Sequence, residues 1–257
     1  MRDPGLSEAI QAVGGVSELA RRIGISQPSV SNWDKVPAER VLAVEAATGV
    51  ERMRLRPDLY QTPSARAVDE IDLARAQEYA LLSALLVRAP DADLLARLSR
   101  LRGDASPLGL AHVALAEAAS GIEPSAIERE YFDLFIGLGR GELLPYASYY
   151  LTGFLNERPL ARLRDDLAQF GIERVQGNSE PEDHAATLCE IMAALASGRF
   201  QATEDAERRL FEKHIAPWMG RFFADLERAE AAGFYRHVGT LGRVFIDIEA
   251  GAFALPG

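Results

Sequence analysis

Apolar residues recur three and four positions apart along most of the chain, and alternating apolar and polar runs are missing. This spacing is typical of helices that bury one face. Turns rich in glycine and proline separate the periodic blocks, for example at Gly14-Gly15, Ala89-Pro90-Asp91 and Glu157-Arg158-Pro159. The distances between turns predict helices of about 8–20 residues. The predicted fold class is therefore all-α.

The pattern divides the chain of 257 residues into two domains. Residues 1–60 form a small helical module, and residues 69–257 form a larger one that begins with a long helix from about Asp69 to Val87. Residues 61–68 contain a proline and small polar side chains, as a linker does. A chain of this length can bury a core in each domain.

Charge separates the same two parts. The whole chain carries a formal charge of −10, whereas residues 1–60 hold eight basic and eight acidic side chains. The acidic domain therefore suits a positively charged partner better than a nucleic acid. No apolar run reaches the eighteen or so residues of a membrane span, and the start of the chain lacks signal-peptide features. These two observations predict a cytoplasmic protein.

Two short helices joined by a glycine-containing turn are predicted near the start of the chain. The first runs from Val16 to Gly24 with Ser17 as its N-cap. The second runs from Gln27 to Asp34 with Ser26 as its N-cap. This arrangement is a helix-turn-helix, whose second helix enters the major groove of DNA.

The second helix of this pair has an inner and an outer face. Val30 and Trp33 lie three residues apart and are expected to face inward. Gln, Asn and Ser can hydrogen-bond base edges, and basic side chains can contact phosphates. The candidate DNA-binding residues are Gln27, Pro28, Ser29, Ser31, Asn32, Lys35 and Arg40.

Three ordered blocks in this region resemble the small Cro-like regulators of the YdaS type. They are Ser26 to Trp33, Val36 to Arg40 and Leu55 to Tyr60. The resemblance implies DNA binding, usually as a homodimer. Asp34 and the neutral charge depart from a typical DNA-binding surface. A helical protein-interaction module is therefore the alternative.

The larger domain has an aromatic helix, Tyr131 to Leu138, whose apolar stripe predicts deep burial. Glycines at 137, 139 and 141 follow it, and then a tyrosine-rich stretch around Pro145. Because no strand precedes these glycines, they do not predict a dinucleotide site.

The segment Glu180-Pro181-Glu182-Asp183-His184 begins another predicted helix. Ser179 and Glu182 fit a capping box, and His184 lies on the face of Leu188. Two interpretations follow. His184 is a structural histidine and the acids stabilise the helix start, or Asp183 and His184 line a cleft that binds a peptide.

No catalytic group or cofactor site is predicted. His214 and His237 lack partners at the spacing of metal ligands, and no nucleophile is assignable. The single cysteine, Cys189, excludes an intrachain disulfide and any site made of several cysteines. The sequence predicts a protein that is not an enzyme and has neither metal nor cofactor.

Four ordered blocks across residues 69–250 resemble the TorD family. They are Glu130 to Phe135, Pro145 to Leu151, Glu180 to His184 with Glu190 and Met192, and His214 to Trp218 with Phe222 to Leu226. Members are all-helical chaperones that hold a molybdenum enzyme until its molybdopterin cofactor is inserted. The resemblance implies binding of the client apoprotein or its twin-arginine signal peptide, with a formate dehydrogenase as a reasonable client. The implied client-binding residues are Tyr131, Leu134, Phe135, Pro145, Tyr146, Ser148, Asp183 and His184.

Two functions are carried forward from the sequence. The first is a maturation chaperone fused to a DNA-binding module that couples client supply to transcription. The alternative is a one-component transcriptional regulator whose large helical domain senses a small ligand.

Overall fold

The computed structural model describes residues 2–60, 68–172, 180–200 and 205–255. Within these ranges the chain forms helices and turns and contains no strand, which confirms the all-α prediction. Its one β-type contact there is an isolated antiparallel bridge.

The chain folds into two compact units, unit 1 (Met1–Ala65) and unit 2 (Arg66–Gly257). Most of the predicted linker, residues 61–67, lies outside the described residues. Each unit buries its own hydrophobic cluster.

Unit 1 is a cluster of short helices. In chain order they are α1 (Pro4–Ala12), α2 (Val16–Arg22), α3 (Gln27–Ser31), a 3-10 turn (Ala38–Arg40), α4 (Val41–Thr48), α5 (Arg52–Leu55) and α6 (Pro57–Tyr60). Their buried faces contribute Leu6, Leu19, Val30, Val44 and Leu55 to the core.

Two helix boundaries in unit 1 differ from the sequence prediction. Ser17 is not an N-cap, because the preceding Gly15 adopts a φ of 144° that ordinary residues avoid and begins the helix two residues earlier. Helix α3 ends at Ser31 instead of Asp34, and the chain then turns and buries Val36. The predicted cap is confirmed, with the Ser26 hydroxyl accepting from the Ser29 amide at 3.4 Å.

Unit 2 contains the longer helices, and none in the described residues is long and apolar enough to cross a membrane. They are α7 (Glu70–Val87), α8 (Ala92–Leu98), α9 (Pro107–Ala119), α10 (Pro124–Tyr131), α11 (Ala147–Thr152), α12 (Arg158–Gln169), α13 (Ala185–Ala196), α14 (Ala206–Leu210), α15 (Met219–Arg228) and α16 (Tyr235–Phe253). Single π-helical turns follow α10 at Phe132–Ile136 and α14 at Phe211–Ile215.

Helix α13 lies at the centre of unit 2. Ten of its twelve residues are buried, so neighbouring elements surround it on nearly every side. Helix α7 packs along α13, and α16 packs against α15 and α9. Several alanines on α13 leave room for close approach. Because α13 is central, it holds in place the residues that lie at its start.

The predicted long helix is confirmed as α7, with Asp69 as its N-cap. The Asp69 carboxylate accepts from the Asp72 amide at 2.8 Å, and the Asp72 carboxylate accepts from the Asp69 amide in return. This reciprocal capping satisfies two amides that the first turn leaves unpaired.

A buried ionic cluster joins α7 to the end of the chain, and the sequence pattern did not indicate it. The Arg75 guanidinium donates to Glu249 at 2.7 and 2.8 Å and to Glu207 at 3.0 Å. The Tyr79 hydroxyl also donates to Glu249, whose side chain is 1% exposed. Arg75 and Tyr79 on α7 thus both donate to Glu249 on α16, and Arg75 also reaches Glu207 on α14. Removing Arg75 would leave these carboxylates without the cation that joins them, which is costly for a buried ion pair.

Helices α15 and α16 approach closely at Gly242. A Cβ atom at this position would lie 2.3 Å from Cε1 of Phe223, well inside van der Waals contact. The Phe223 ring is fully buried and cannot swing into solvent.

We expect Gly242→Ala to destabilise unit 2 by about 1–3 kcal/mol, because overpacking a filled core forces side chains from their preferred rotamers. Urea unfolding measures the change. Gly251→Ala is the matched control on the same helix, because nothing lies within 4 Å of its added methyl. Equal unfolding midpoints for the two variants would contradict this packing.

Candidate functional site

The centre of the candidate site is a crossing between two chain segments, residues 145–148 and 183–185, which we call the clasp. The Ala147 amide donates to the Asp183 carbonyl at 3.0 Å, and the Ala185 amide donates to the Pro145 carbonyl at 2.8 Å. These two bonds make the isolated bridge between Tyr146 and His184. The clasp joins two of the blocks on which the sequence resemblance rests.

Asp183 is a structural element of the clasp. Its side chain is 0% exposed, and Oδ2 accepts from the Ser148 amide at 2.7 Å. A carboxylate that accepts from the first turn of α11 also interacts favourably with that helix. Asp183 and Ser148 are both buried in this conformation, so direct contact of Asp183 with a client stays a prediction.

His184 is the N-cap of α13. Its Nδ1 accepts from the Ala186 amide at 3.1 Å, so Nε2 carries the proton in the neutral ring. Burial lowers its pKa, and the charges of Glu180 and Asp183 oppose that shift. The edge of His184 meets the ring of Tyr146 at a centroid distance of 5.0 Å. His184 is 8% exposed, so only a small part of it reaches the surface.

The predicted capping box of this region is wrong. Helix α13 begins at Ala185, so Glu182 lies before the helix, and Ser179 lies outside the described residues. Glu182 instead accepts from Arg164 on α12, at 2.8 and 2.9 Å. The helix starts later because the chain first pairs with residues 145–147, which a helical backbone could not do.

The aromatic helix predicted at 131–138 is interrupted and only partly buried. Helix α10 ends at Tyr131 and a π-helical turn follows, so the side chains rotate out of a single stripe. Leu134 is fully buried, whereas Tyr131 and Phe135 are half-buried with ring centroids 5.0 Å apart. Leu138 is 98% exposed, so the expectation of deep burial is wrong for the end of this segment.

Tyr131 and Tyr146 lie beside Glu180. The Tyr146 hydroxyl donates to the Glu180 carboxylate. Burial raises the pKa of both tyrosines, with the negative charge of Glu180 adding to the shift. Both phenols are therefore neutral donors at physiological pH. The structure thus brings together predicted residues from three sequence blocks.

Two glutamates connect the aromatic segment to the backbone at and just before the start of α16. The Glu130 carboxylate accepts from the amides of Gly233, Phe234 and Tyr235, at 2.6–3.0 Å. Glu142 accepts from the amides of residues 230 and 231, at 2.7 and 3.0 Å. Hydrogen bonds therefore hold both ends of the segment between these glutamates. They fix the backbone that carries its exposed apolar residues.

A cleft of about 640 Å³ lies next to the clasp, and the sequence did not indicate it. Helices α12 and α13 form its walls, with apolar side chains inside and acidic and basic groups at the edge. The lining residues are Arg164, Leu167, Ala168, Gly171, Ile172, Glu180, Glu182, Thr187, Glu190, Ile191, Ala194, Arg199 and Phe200. Small and charged residues on two predicted helices that follow one another in the sequence could have indicated part of this set.

His214 has a structural partner that the sequence did not identify. Its Nε2 lies 2.8 Å from Oδ2 of Asp166, and its carbonyl accepts from the Trp218 indole at 2.7 Å. Burial lowers the pKa of His214 despite the nearby carboxylate. Among the described residues, no three His, Cys, Asp or Glu side chains are grouped as a metal site requires.

The predicted DNA-binding residues lie on and just after α3 in unit 1. Gln27, Pro28, Ser29 and Asn32 are exposed, and Ser31 is partly buried. The inward-facing prediction is confirmed for Val30, which is fully buried, while Trp33 is only partly covered. Lys35 and Arg40 are also exposed. The surface that could contact DNA bases is thus small and mostly uncharged.

Known proteins match each unit separately. Residues 102–224 match the family model of the nitrate reductase delta subunit, and residues 6–64 match that of the bacterial toxin YdaS. The TorD resemblance and the YdaS resemblance are confirmed. Unit 2 is TorD-like, and unit 1 is YdaS-like.

Curated relatives match part of the chain. The chaperone protein TorD of Vibrio cholerae is 30% identical over 126 residues, which are 46% of this chain and 57% of that protein. The TorD of Aliivibrio fischeri is 27% identical over 51% of this chain and 67% of that protein. The chain therefore spans little more than half the length of the Vibrio cholerae relative.

A crystal structure of a redox enzyme maturation protein from Archaeoglobus fulgidus also aligns with the chain. It is 22% identical, covers 68% of this chain and 93% of its own, and has a TM-score of 0.45.

Asp183→Ala should destabilise the TorD-like unit by about 1–3 kcal/mol, because the buried Ser148 amide loses its acceptor. Urea unfolding of Trp33→Phe protein, followed by fluorescence, leaves Trp218 as the reporter for this unit. Asp183→Asn retains a side-chain oxygen and should lose less. Unchanged stability of the alanine variant would rule out this role for Asp183.

The depressed pKa of His184 predicts acid sensitivity. The unfolded ring takes up a proton near its ordinary value of 6.5, whereas the folded ring resists protonation. The stabilising contribution is therefore fully present above 6.5 and is lost as pH falls through the lower folded pKa. His184→Asn keeps an acceptor for the helix cap but cannot titrate. Its unfolding free energy should fall less steeply on acidification, and parallel pH profiles would refute the assignment.

Proposed function

We propose that the TorD-like unit is a maturation chaperone for a molybdopterin-dependent oxidoreductase. Its partner is the apoprotein or the twin-arginine signal peptide of that enzyme, and a formate dehydrogenase is a suitable client. The observation that carries this proposal is the cleft beside the clasp. It is apolar inside and bears Glu180, Glu182 and Glu190 along its lining.

The chemistry of a twin-arginine leader fits this cleft. Such a peptide carries two guanidinium groups followed by an apolar stretch. Guanidinium groups form paired hydrogen bonds with carboxylates, and Glu190 presents an exposed carboxylate from α13. Leu167, Ile172 and Ile191 supply an apolar wall for the following residues. The net charge of −10, carried outside residues 1–60, attracts the basic peptide.

The clasp and the aromatic residues beside it provide further contact and positioning residues in this proposal. Tyr131 and Tyr146 present neutral phenols next to Glu180, and Phe135 adds a half-buried ring. Pro145, Ser148, Asp183 and the buried Leu134 hold these groups in place. We therefore assign direct contact to the tyrosines, Phe135 and the exposed edge of His184, and positioning to the four buried residues.

Plugging the cleft should abolish peptide binding. Ala168 is exposed on α12 and lines the cleft, so Ala168→Trp fills it without disturbing the core. We expect at least a tenfold loss of affinity, which corresponds to about 1.4 kcal/mol, for a fluorescent twin-arginine peptide measured by anisotropy.

Ala161→Trp is the matched control, because Ala161 is exposed on the same helix but does not line the cleft. A peptide with both arginines replaced by glutamine tests the charge requirement. Wild-type binding that Ala168→Trp leaves unchanged would place the peptide elsewhere. Absence of wild-type binding would overturn the peptide-binding function.

We infer that the YdaS-like unit binds DNA through α3. Its support is the exposure of Gln27 and Asn32, whose amides can form paired hydrogen bonds with adenine edges. Homodimers are usual for helix-turn-helix proteins that bind symmetric operators. A full chain with no DNA affinity even at low salt would contradict this inference.

Fusion of the two units would couple client supply to transcription. Coupling requires that a bound client changes the affinity for DNA, and that DNA changes the affinity for the client by the same factor. Titration of the full chain with the twin-arginine peptide in the presence of DNA measures this factor. A factor of one leaves two independent functions on one chain.

A regulator that senses a small ligand is the second candidate, and the cleft volume favours it. About 640 Å³ falls within the range of small-molecule pockets, about 300–1,000 Å³. This candidate predicts thermal stabilisation by a metabolite and no affinity for twin-arginine peptides. The Ala168→Trp variant would lose this stabilisation as it would lose peptide binding, so the two functions are separated by whether the wild-type chain binds the twin-arginine peptide or the metabolite.

A further inference from the structure

Arg2 lies at the end of α3, the helix proposed to read DNA bases. Its Nη2 donates to the Ser31 carbonyl at 3.2 Å, and the guanidinium is exposed. The next residue continues the contact, because the Asp3 amide donates to the Asp34 carbonyl at 2.7 Å. The start of the chain is thus hydrogen-bonded to both sides of the turn that follows α3.

Ser31 connects Arg2 to the exposed face of the helix. The Gln27 side-chain amide donates to the Ser31 hydroxyl at 3.0 Å, while Arg2 holds the carbonyl of the same residue. Gln27 is a candidate for base contact, so the guanidinium lies at one end of the surface that would meet the major groove. Phosphates border that groove on both sides.

The charges of unit 1 single out Arg2 and Arg40. Residues 2–60 are all described and hold eight basic side chains, of which six form an ion pair with a carboxylate. The pairs are Arg21 and Arg22 with Glu18, Lys35 and Arg56 with Asp58, Arg52 with Glu45, and Arg54 with Glu8. In this range, Arg2 and Arg40 form no ion pair.

Pairing matters because a phosphate must compete with the carboxylate. Hydrogen bonds from Arg21 and Arg22 lower the pKa of Glu18 to about 2, so this carboxylate stays charged at any physiological pH. An arginine that turned to DNA would leave that negative charge next to the phosphates. Lys35, a candidate from the sequence, is limited in the same way by Asp58, which is 3.4 Å away.

We propose that Arg2 is a phosphate-contact residue of the YdaS-like unit and, together with Arg40, supplies most of its electrostatic attraction to DNA. This inference rests on the proposed DNA-binding function and deepens it. Arg2 also supplies a positive charge on the turn that carries Asp34, the acidic residue that departs from a typical DNA-binding surface. A neutral module can thus bind DNA through two cations that form no ion pair within residues 2–60.

The test is the salt dependence of DNA binding by the full chain. Anisotropy of a labelled, mixed-sequence DNA duplex gives the affinity over a series of salt concentrations. Each phosphate contact contributes about −0.9 to the slope of log affinity against log salt. Arg2→Gln retains an amide donor for the Ser31 carbonyl but removes the charge, so the slope should become shallower by about 0.9 per bound chain. Arg2→Lys should keep the wild-type slope.

Arg54→Gln is the matched control, because it removes one positive charge whose partner is Glu8. We expect it to leave the slope unchanged. Thermal unfolding of each variant separates a phosphate contact from a purely structural role, since a structural role predicts lower stability with an unchanged slope.

The outcomes separate this inference from the function on which it rests. Wild-type binding with equal slopes for wild type and Arg2→Gln overturns the role of Arg2 and leaves DNA binding intact. A wild-type chain without salt-dependent DNA affinity overturns both.

Discussion

The TorD-like unit depends on the attachment of residues 145–148 to the start of its central helix. Two backbone hydrogen bonds and the Asp183 carboxylate make this attachment within a buried environment. Buried hydrogen bonds are strengthened because water does not compete for them. The attachment sets where α13 begins, places Tyr146 against His184, and fixes one end of the cleft between α12 and α13.

Carboxylates in this unit divide into those that hold the frame and those that line the candidate surface. Glu130 and Glu142 accept from backbone amides near the start of α16, and Glu249 accepts from Arg75 and Tyr79. Glu190, by contrast, is exposed along the cleft. The acidic composition therefore does not by itself give the charge that a basic partner would contact, because some carboxylates, such as Glu249, are buried and paired within the protein.

In the YdaS-like unit, the basic side chains divide in the same way into those used within the protein and those available to a partner. Most of its basic side chains form ion pairs with carboxylates, so its net charge says little about its ability to bind DNA. What matters is which cations remain unpaired and where they lie. Arg2 is one of these, and its bond to Ser31 places it beside the candidate recognition surface.

Local signals were sufficient for much of the fold. Periodicity predicted the all-α class, Asp69 marked the start of α7, and Ser26 marked the start of α3, because caps and periodic burial depend on residues close in sequence. The helix break after Tyr131 and the late start of α13 were missed. The late start of α13 follows from pairing with residues 145–147, about 35–40 positions away, which no local pattern reports. The segment after Tyr131 is held by bonds from the amides of residues 142 and 143 to Asp133 and Leu134, which helical periodicity does not report either.

The sequence by itself determined the helical class and the chain segments that resemble YdaS and TorD. Tertiary structure alone decided the role of each residue. It buried Asp183 against the Ser148 amide, paired Glu182 with Arg164 and formed the cleft beside α13. It also left Arg2 without a carboxylate partner among the residues that the structure describes. The reason is physical: burial and pairing depend on distances between atoms that are remote in sequence, and these distances exist only once the chain has folded.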